Sequence, residues 1–213
     1  MSEMGQRAPY VITISRQIGS GGAYIGQRLA ARLGISYIDR EIVYQAAQRL
    51  NISEDNLISR EERVTPLWRS LLESSIYSNP QAYIPPPINI PTDKELYQVE
   101  SDIILDIAKR TSAVIIGRGG HYVLREHPRY LSILLHADIE FRQKRIQELY
   151  HLSSPEALKM IHSRDESRAS YLHVLTKGDC THARQYHISL DTGILGLELV
   201  EDIIVAVARA RFG

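Results

Sequence analysis

The stretch ISRQIGSGGAYIG, Ile14–Gly26, decides the fold. It follows VIT and completes YVITIS (Tyr10–Ser15), a short β-branched apolar run of the kind that forms a buried strand. Gly19, Ser20, Gly21 and Gly22 then form a run of small residues directly before an apolar-periodic segment. In AYIGQRLAARLG, the residues Ile25, Leu29 and Leu33 fall at i, i+4 and i+8, a helical stripe that stops at Gly34. A glycine-rich turn between a strand and a helix lets backbone N–H groups converge on an anion, and the helix adds its N-terminal partial charge. The segment therefore predicts a phosphate cradle. A plain strand-to-helix turn is the simpler alternative, and four small residues in a row at the helix start favour the cradle.

Reading outward, ISYID (Ile35–Asp39) predicts a second strand and REIVYQAAQRL (Arg40–Leu50) a second helix. This strand and helix alternation implies a parallel sheet with helices on both faces. Further strands are expected at SAVIIG (Ser112–Gly117), YLSILLHA (Tyr130–Ala137) and QYHISLD (Gln185–Asp191). Helices are expected at Lys94–Arg110, with Val99, Ile103 and Ile107 on one stripe, and at Asp138–Tyr150, N-capped by Asp138. Two more are expected at Ser154–Leu175 and Leu195–Phe212. The segment from Glu54 to about Asp93 breaks the alternation. Its first part is amphipathic, and its second, Ser78–Asp93, holds five prolines in sixteen residues and cannot be a regular element. It reads as a helical, proline-armed insertion in one domain spanning 1–213. In an enzyme such an insertion closes over a substrate; as an arm it would form a homodimer.

Composition narrows the function. The 25 basic and 25 acidic residues balance, so no global field draws in nucleic acid or a membrane surface. No apolar run approaches a membrane span, and MSEMGQRAPY has no apolar core of a signal peptide. Cys180 is the only cysteine, which suits a reducing compartment and a cytoplasmic location. Cys180, His182 and His187 match no common zinc spacing. The aromatics Trp68, Tyr77 and Tyr83 surround the prolines and are expected to pack the arm.

The loop departs from an ordinary phosphate-binding loop in its side chains. Such a loop carries a lysine on the β/γ-phosphates and a Ser/Thr hydroxyl on Mg2+. Counting back from Leu29-Ala30 places Gly22 at the lysine position, followed by Ala23 and Tyr24. The backbone cradle remains. Arg16, the first residue of the loop, is a candidate replacement cation; it is equally placed to pair with Asp39 at the end of the second strand.

ITISRQIGSGGAYIGQRLAARLGISYIDREIV resembles the opening of the cytidylate kinase-like proteins. The resemblance continues through VIIGRGGHYVL (Val114–Leu124), ILLHADIEFRQKR (Ile133–Arg145), RDESRASY (Arg164–Tyr171) and YHISLDT (Tyr186–Thr192). It implies a P-loop nucleoside-monophosphate kinase fold with an arginine-bearing lid. It also implies ATP as phosphoryl donor, with Mg2+ held mainly by the nucleotide's phosphates, and a CMP- or dCMP-like acceptor. By the resemblance, Arg118 meets the acceptor phosphate, Arg142 and Arg145 are lid arginines near the donor phosphates, and Asp165 and Arg168 hold the nucleoside monophosphate. The expected catalytic set is thus Arg118, Arg142, Arg145 and Arg168. Arg16, Gly19, Ser20, Gly21 and Gly22 face the donor, and Asp39, Arg118, Asp165 and Arg168 face the acceptor. Phosphoryl transfer needs positioning and charge neutralisation, which guanidinium groups supply at any working pH. Without the resemblance, Arg142 and Arg145 would read as a solvated basic face.

Other departures accompany Gly22. Relatives often carry Arg-Glu where this chain has Ala23-Tyr24. Gln45 stands where classical cytidylate kinases have a phosphate-binding arginine, and Ile161 falls at their first lid-segment arginine. Ile116 and Gly119 replace aspartates around Gly117-Arg118. Losing a charged group that acts on the transition state costs roughly 3 kcal/mol, two or more orders of magnitude in rate. Two readings from other classes stay open beside the enzyme: a nucleotide-binding regulatory protein, and an interaction protein with a vestigial cleft.

Overall fold

The computed structural model of the chain describes residues 8–39, 94–176 and 182–213. The expected helix after Asp39, the 54–93 insertion with its aromatics and dimer arm, Gln45 and Cys180 lie outside these residues.

The described residues form a five-stranded parallel sheet in the order β2-β3-β1-β4-β5. The strands are β1 (Val11–Arg16), β2 (Ser36–Ile38), β3 (Ala113–Ile116), β4 (Tyr130–His136) and β5 (Ile188–Asp191). Strand β1 is central. Its residue Ile12 aligns with Val114 of β3 on one side and Leu131 of β4 on the other. The two faces of the sheet are read off the alternation of side chains along each strand. Ile12, Ile14, Val114, Ile116, Leu131 and Ile133 point to one face. There they meet Ile25 and Leu29 of α1 (Gly22–Leu33) and the last helix, which contributes Val200 and Ile204. Val11, Ile115 and Tyr130 point to the other face, against Val99, Ile103 and Ile107 of α2 (Lys94–Arg110). Each fully buried isoleucine of these layers contributes about 1.5–3 kcal/mol of transfer free energy.

The end of β3 leads through Gly117–Gly119 into a one-turn helix, α3 (Gly120–Val123), which the sequence pattern did not predict. After β4, Asp138 caps α4 (Ile139–Tyr150), its carboxylate accepting the Phe141 N–H at 2.7 Å. Helix α5 (Ser154–Thr176) follows and packs on α4 through Ile146, Ala157 and Ile161. Ile161 is therefore part of the apolar seam between these two helices. The chain closes through α6 (Thr192–Leu195) and α7 (Leu197–Phe212). The expected closing helix starts at Leu197 rather than Leu195, and a one-turn helix not expected from the sequence precedes it, the two separated by Gly196 with φ of 76°. No helix among the described residues is long and apolar enough to cross a membrane.

Candidate active site

In an open parallel sheet, ligands bind outside the carboxyl ends of the strands. Those ends here are Arg16 of β1, Ile38-Asp39 of β2, Gly117-Arg118 after β3, and His136 to Asp138 after β4. The residues named from the sequence lie at these ends, in the loop after β1, at the start of α1, or on α4 and α5.

The loop from Gln17 to Gly21 is held from below. The Gln17 N–H donates to the Leu135 carbonyl at 3.0 Å, and the Gln17 side-chain oxygen accepts the Ala137 N–H at 3.2 Å. Ser20 is fully buried and its hydroxyl donates to the Gln17 and Leu135 carbonyls at 2.8 and 3.2 Å. Its N–H also turns inward to Gln17. Ser20 thus ties the loop to β4 rather than offering a hydroxyl outward. Gly19 and Gly21 have φ of 84° and 82°, left-handed conformations that side chains resist. They also permit close approach. A Cβ on Gly19 would fall 2.9 Å from the Arg142 carbonyl oxygen and Cβ, and one on Gly21 would fall 2.5 Å from Leu197 Cδ2. Gly21 caps α1 with no side-chain hydrogen bond, and no acidic residue stands in the first turn. The partial positive charge of that helix end is left for an anion.

Asp165 joins the loop to the two arginine-bearing helices. Its Oδ1 accepts the Ile18 N–H at 3.0 Å and Arg168 Nη1 at 3.0 Å, and its Oδ2 accepts Arg142 Nη1 at 2.6 Å. Arg142 Nη1 also lies 3.5 Å from the Ile18 carbonyl. Arg142 is buried, so its place on α4 is not a solvated basic face. A carboxylate here already occupies a position served by one loop N–H and two guanidinium groups. Arg145, one turn on, lies with its guanidinium 5.7 Å from the centre of the Tyr24 ring. Burial lowers its pKa from the ordinary arginine value, with Tyr24, Glu148 and Glu198 acting in the opposite sense. An arginine stays charged nonetheless.

Arg118 has φ of 53° and sits between Gly117 and Gly119, at 76° and 63°. Its side chain is 4% exposed and pairs with Glu100 of α2, 1% exposed, at 3.1 Å. Glu100 is the site residue that the sequence analysis missed. Its signal was present as an acidic residue on the flank of the Val99, Ile103, Ile107 stripe. Asp39 is buried at the end of β2. The Tyr37 hydroxyl beside it has its pKa raised, first by burial and then by Asp39, while Arg16 acts to lower it. Arg16, Asp39 and Tyr37 are thus neighbours across the ends of β1, β3 and β2. Arg28, also close to the loop in sequence, pairs with buried Glu201 of α7.

These residues suit a polyphosphate anion: an uncapped helix end, a loop with free-turning glycines, and arginines from β1, α4 and α5 around it. A metal ion finds less. Ala23 supplies no hydroxyl, and no group of three or more His, Cys, Asp and Glu capable of holding a metal occurs among the described residues.

Comparison with known proteins places the chain's fold and family. The chain is 26% identical over 195 residues to a cytidylate kinase of Ignicoccus hospitalis, covering 91% of this chain and 96% of the relative. An uncharacterized protein from Eubacterium ventriosum superposes with a TM-score of 0.71 at 20% identity, over 95% of this chain and 99% of that one. A gluconokinase from Sinorhizobium meliloti superposes at 0.51 with 14% identity, over 97% and 95%. The parallel sheet, its glycine loop and these neighbours make the architecture a P-loop type α/β fold. The family model of the cytidylate kinase-like family matches residues 11–194, and the chain belongs to that family.

Proposed function

We propose that the protein is a phosphotransferase that moves a phosphoryl group from ATP to a nucleoside monophosphate, CMP or dCMP in type, or to a similar small acceptor. The observation that carries this reading is the meeting at Asp165. An anionic group is bound there by the Ile18 N–H, Arg142 and Arg168, beside the glycine loop. The chain thus brings the arginines of α4 and α5 onto the loop that the fold uses for phosphates.

In this reading the backbone of Gly19–Gly22 and the N-terminus of α1 hold the donor phosphates. Ser20 and Gln17 keep the loop in shape against β4. Arg142 and Arg145 supply charge from α4, and Asp165 sets the directions of Arg142 and Arg168. Arg118 lies on the acceptor side, its guanidinium held in register by Glu100, with Asp39 at the neighbouring strand end. Such preorganised charges act without reorganising at the moment of transfer. ATP would supply the phosphoryl group, and Mg2+ held mainly by the nucleotide's phosphates would, when bound, supply charge neutralisation there.

The bare positions Gly22 and Ala23 favour one second reading, a nucleotide-binding regulatory protein that keeps the cradle without turnover. The test is steady-state ADP formation with ATP, Mg2+ and a panel of nucleoside monophosphates, accompanied by melting curves with ATP alone. The kinase reading expects acceptor-dependent ADP and a loss of about 100-fold in Arg145→Ala. A nucleotide-dependent melting shift without ADP from any acceptor supports the regulatory reading. No shift at millimolar ATP removes both.

A further inference from the structure

The loop has glycine where a cation normally stands, and the space over that glycine is filled. A Cβ on Gly22 would lie 2.7 Å from Arg16 Cγ and 2.8 Å from Arg16 Cβ. At the other end of the same side chain, a Cβ on Gly117 would collide with Arg16 Nη1. Gly117 has φ of 76°, so its backbone also disfavours a side chain. Arg16 therefore runs in a slot walled by two glycines. It leaves the end of β1, crosses the start of α1 and reaches the end of β3. Its charge is felt by the Tyr37 hydroxyl of β2, alongside that of Asp39. The side chain thus spans the strand ends, from its Cβ and Cγ over Gly22 at the start of α1 to its guanidinium at Gly117, in the turn that carries Arg118.

The geometry points to Arg16 as the cation that takes the phosphates of a bound nucleoside triphosphate in place of the loop lysine, with Gly22 as the condition for it. This rests on the phosphotransferase reading and adds the residue that makes a lysine-free loop workable. The arginine enters from the strand side of the loop instead of from the helix. A guanidinium offers a planar fork of donors to phosphate oxygens, which suits a fixed slot better than a flexible ammonium. Any side chain at position 22 would expel it, a lysine included. Glycine 22 is then a requirement of the arginine, not a relic of a lost lysine.

The consequence is a reciprocal pattern. Arg16→Gln and Gly22→Lys should each weaken ATP–Mg2+ binding by tenfold or more, in line with loss of a charged hydrogen-bond partner. AMP, lacking the β- and γ-phosphates, should bind the variants within about twofold of the parent, where loss of a charge-assisted contact would exceed that. The double variant Arg16→Gly with Gly22→Lys should recover most of the lost ATP affinity, because removing both the Cβ and the Cγ of Arg16 leaves the slot to the lysine. Gly22→Ala, a one-methyl change, should reproduce the loss without altering charge. Calorimetry with ATP–Mg2+ and with AMP reads all of these, and ADP formation is measured in parallel. ATP binding by Arg16→Gln equal to the parent's, or tighter binding by Gly22→Lys with Arg16 in place, overturns the assignment. If ADP formation persists in those proteins, the phosphotransferase reading survives that failure. A parent protein that neither binds ATP nor forms ADP overturns both.

Discussion

The pair of Arg118 and Glu100 allows the sharpest stability prediction. Their side chains are 4% and 1% exposed and 3.1 Å apart. Taking two charges out of water is costly, and the cost is offset only while each keeps the other. Removing one partner should therefore cost about 3–5 kcal/mol, because the survivor is left charged in a dry site. For a chain of 213 residues, a kcal/mol corresponds to about 2–4 °C in Tm, so Glu100→Gln should melt on the order of 10 °C lower. Arg118→Met should behave alike. The double variant, with no charge left to strand, should recover a large part of the loss. Arg118 also holds a left-handed backbone, which costs about 1–2 kcal/mol and is maintained by the side chain's anchorage. Thermal unfolding of the four proteins in a double-mutant cycle reads the coupling directly. Single-variant losses that add within about 0.5 kcal/mol would refute the buried pair as the anchor of the β3 turn.

Gly21→Ala should weaken ATP binding and lower Tm by several degrees, since φ of 82° and a Cβ 2.5 Å from Leu197 Cδ2 force both strain and repacking; calorimetry and a melting curve check both. Arg28→Ala should leave ADP formation unchanged, because Arg28 faces Glu201 on α7 and not the loop; a large loss of turnover would place it in the site after all. Acidification should destabilise the fold. His121 and His187 both have pKa values below the ordinary histidine value, first through burial. A depressed folded-state pKa means that the unfolded chain binds protons more readily, so stability is present above the unfolded value and is lost as pH falls below about 6.5. His121→Asn should flatten part of the fall in Tm between neutral and mildly acidic pH, and an unchanged slope would remove His121 as a contributor.

Local order was legible where one segment decides its own structure. The β-branched run, the glycines and the stripe Ile25, Leu29, Leu33 announced β1, the loop and α1, and Asp138 announced the cap of α4. Lys94–Arg110 is a helix over its whole expected length because its apolar stripe is unbroken. What stayed hidden depends on contacts between distant segments. Glu100 reads as one acid among many on a helix until α2 lies over the end of β3. The turn at Arg118 could not be foreseen, because an arginine seldom adopts positive φ and only the tertiary anchor holds it there. Asp165 was expected with Arg168 on the acceptor side, and its hold on the Ile18 N–H requires α5 to reach the β1 loop. Ile161 looked like a missing arginine; the packing of α4 on α5 explains why an apolar residue is kept there. Arg16 had two expected partners, a phosphate and Asp39, and its course past Gly22 and Gly117 emerges only when three strand ends are seen together.

The central claim is transfer of a phosphoryl group to an acceptor, and the most direct measurement is product identity. Purified protein is incubated with ATP, Mg2+ and CMP, then with each of the other nucleoside monophosphates, and the products are resolved by ion-exchange chromatography. The account predicts a nucleoside diphosphate of the acceptor appearing in step with an equal amount of ADP. ADP without a phosphorylated acceptor, or no change in ATP with any acceptor, would contradict it.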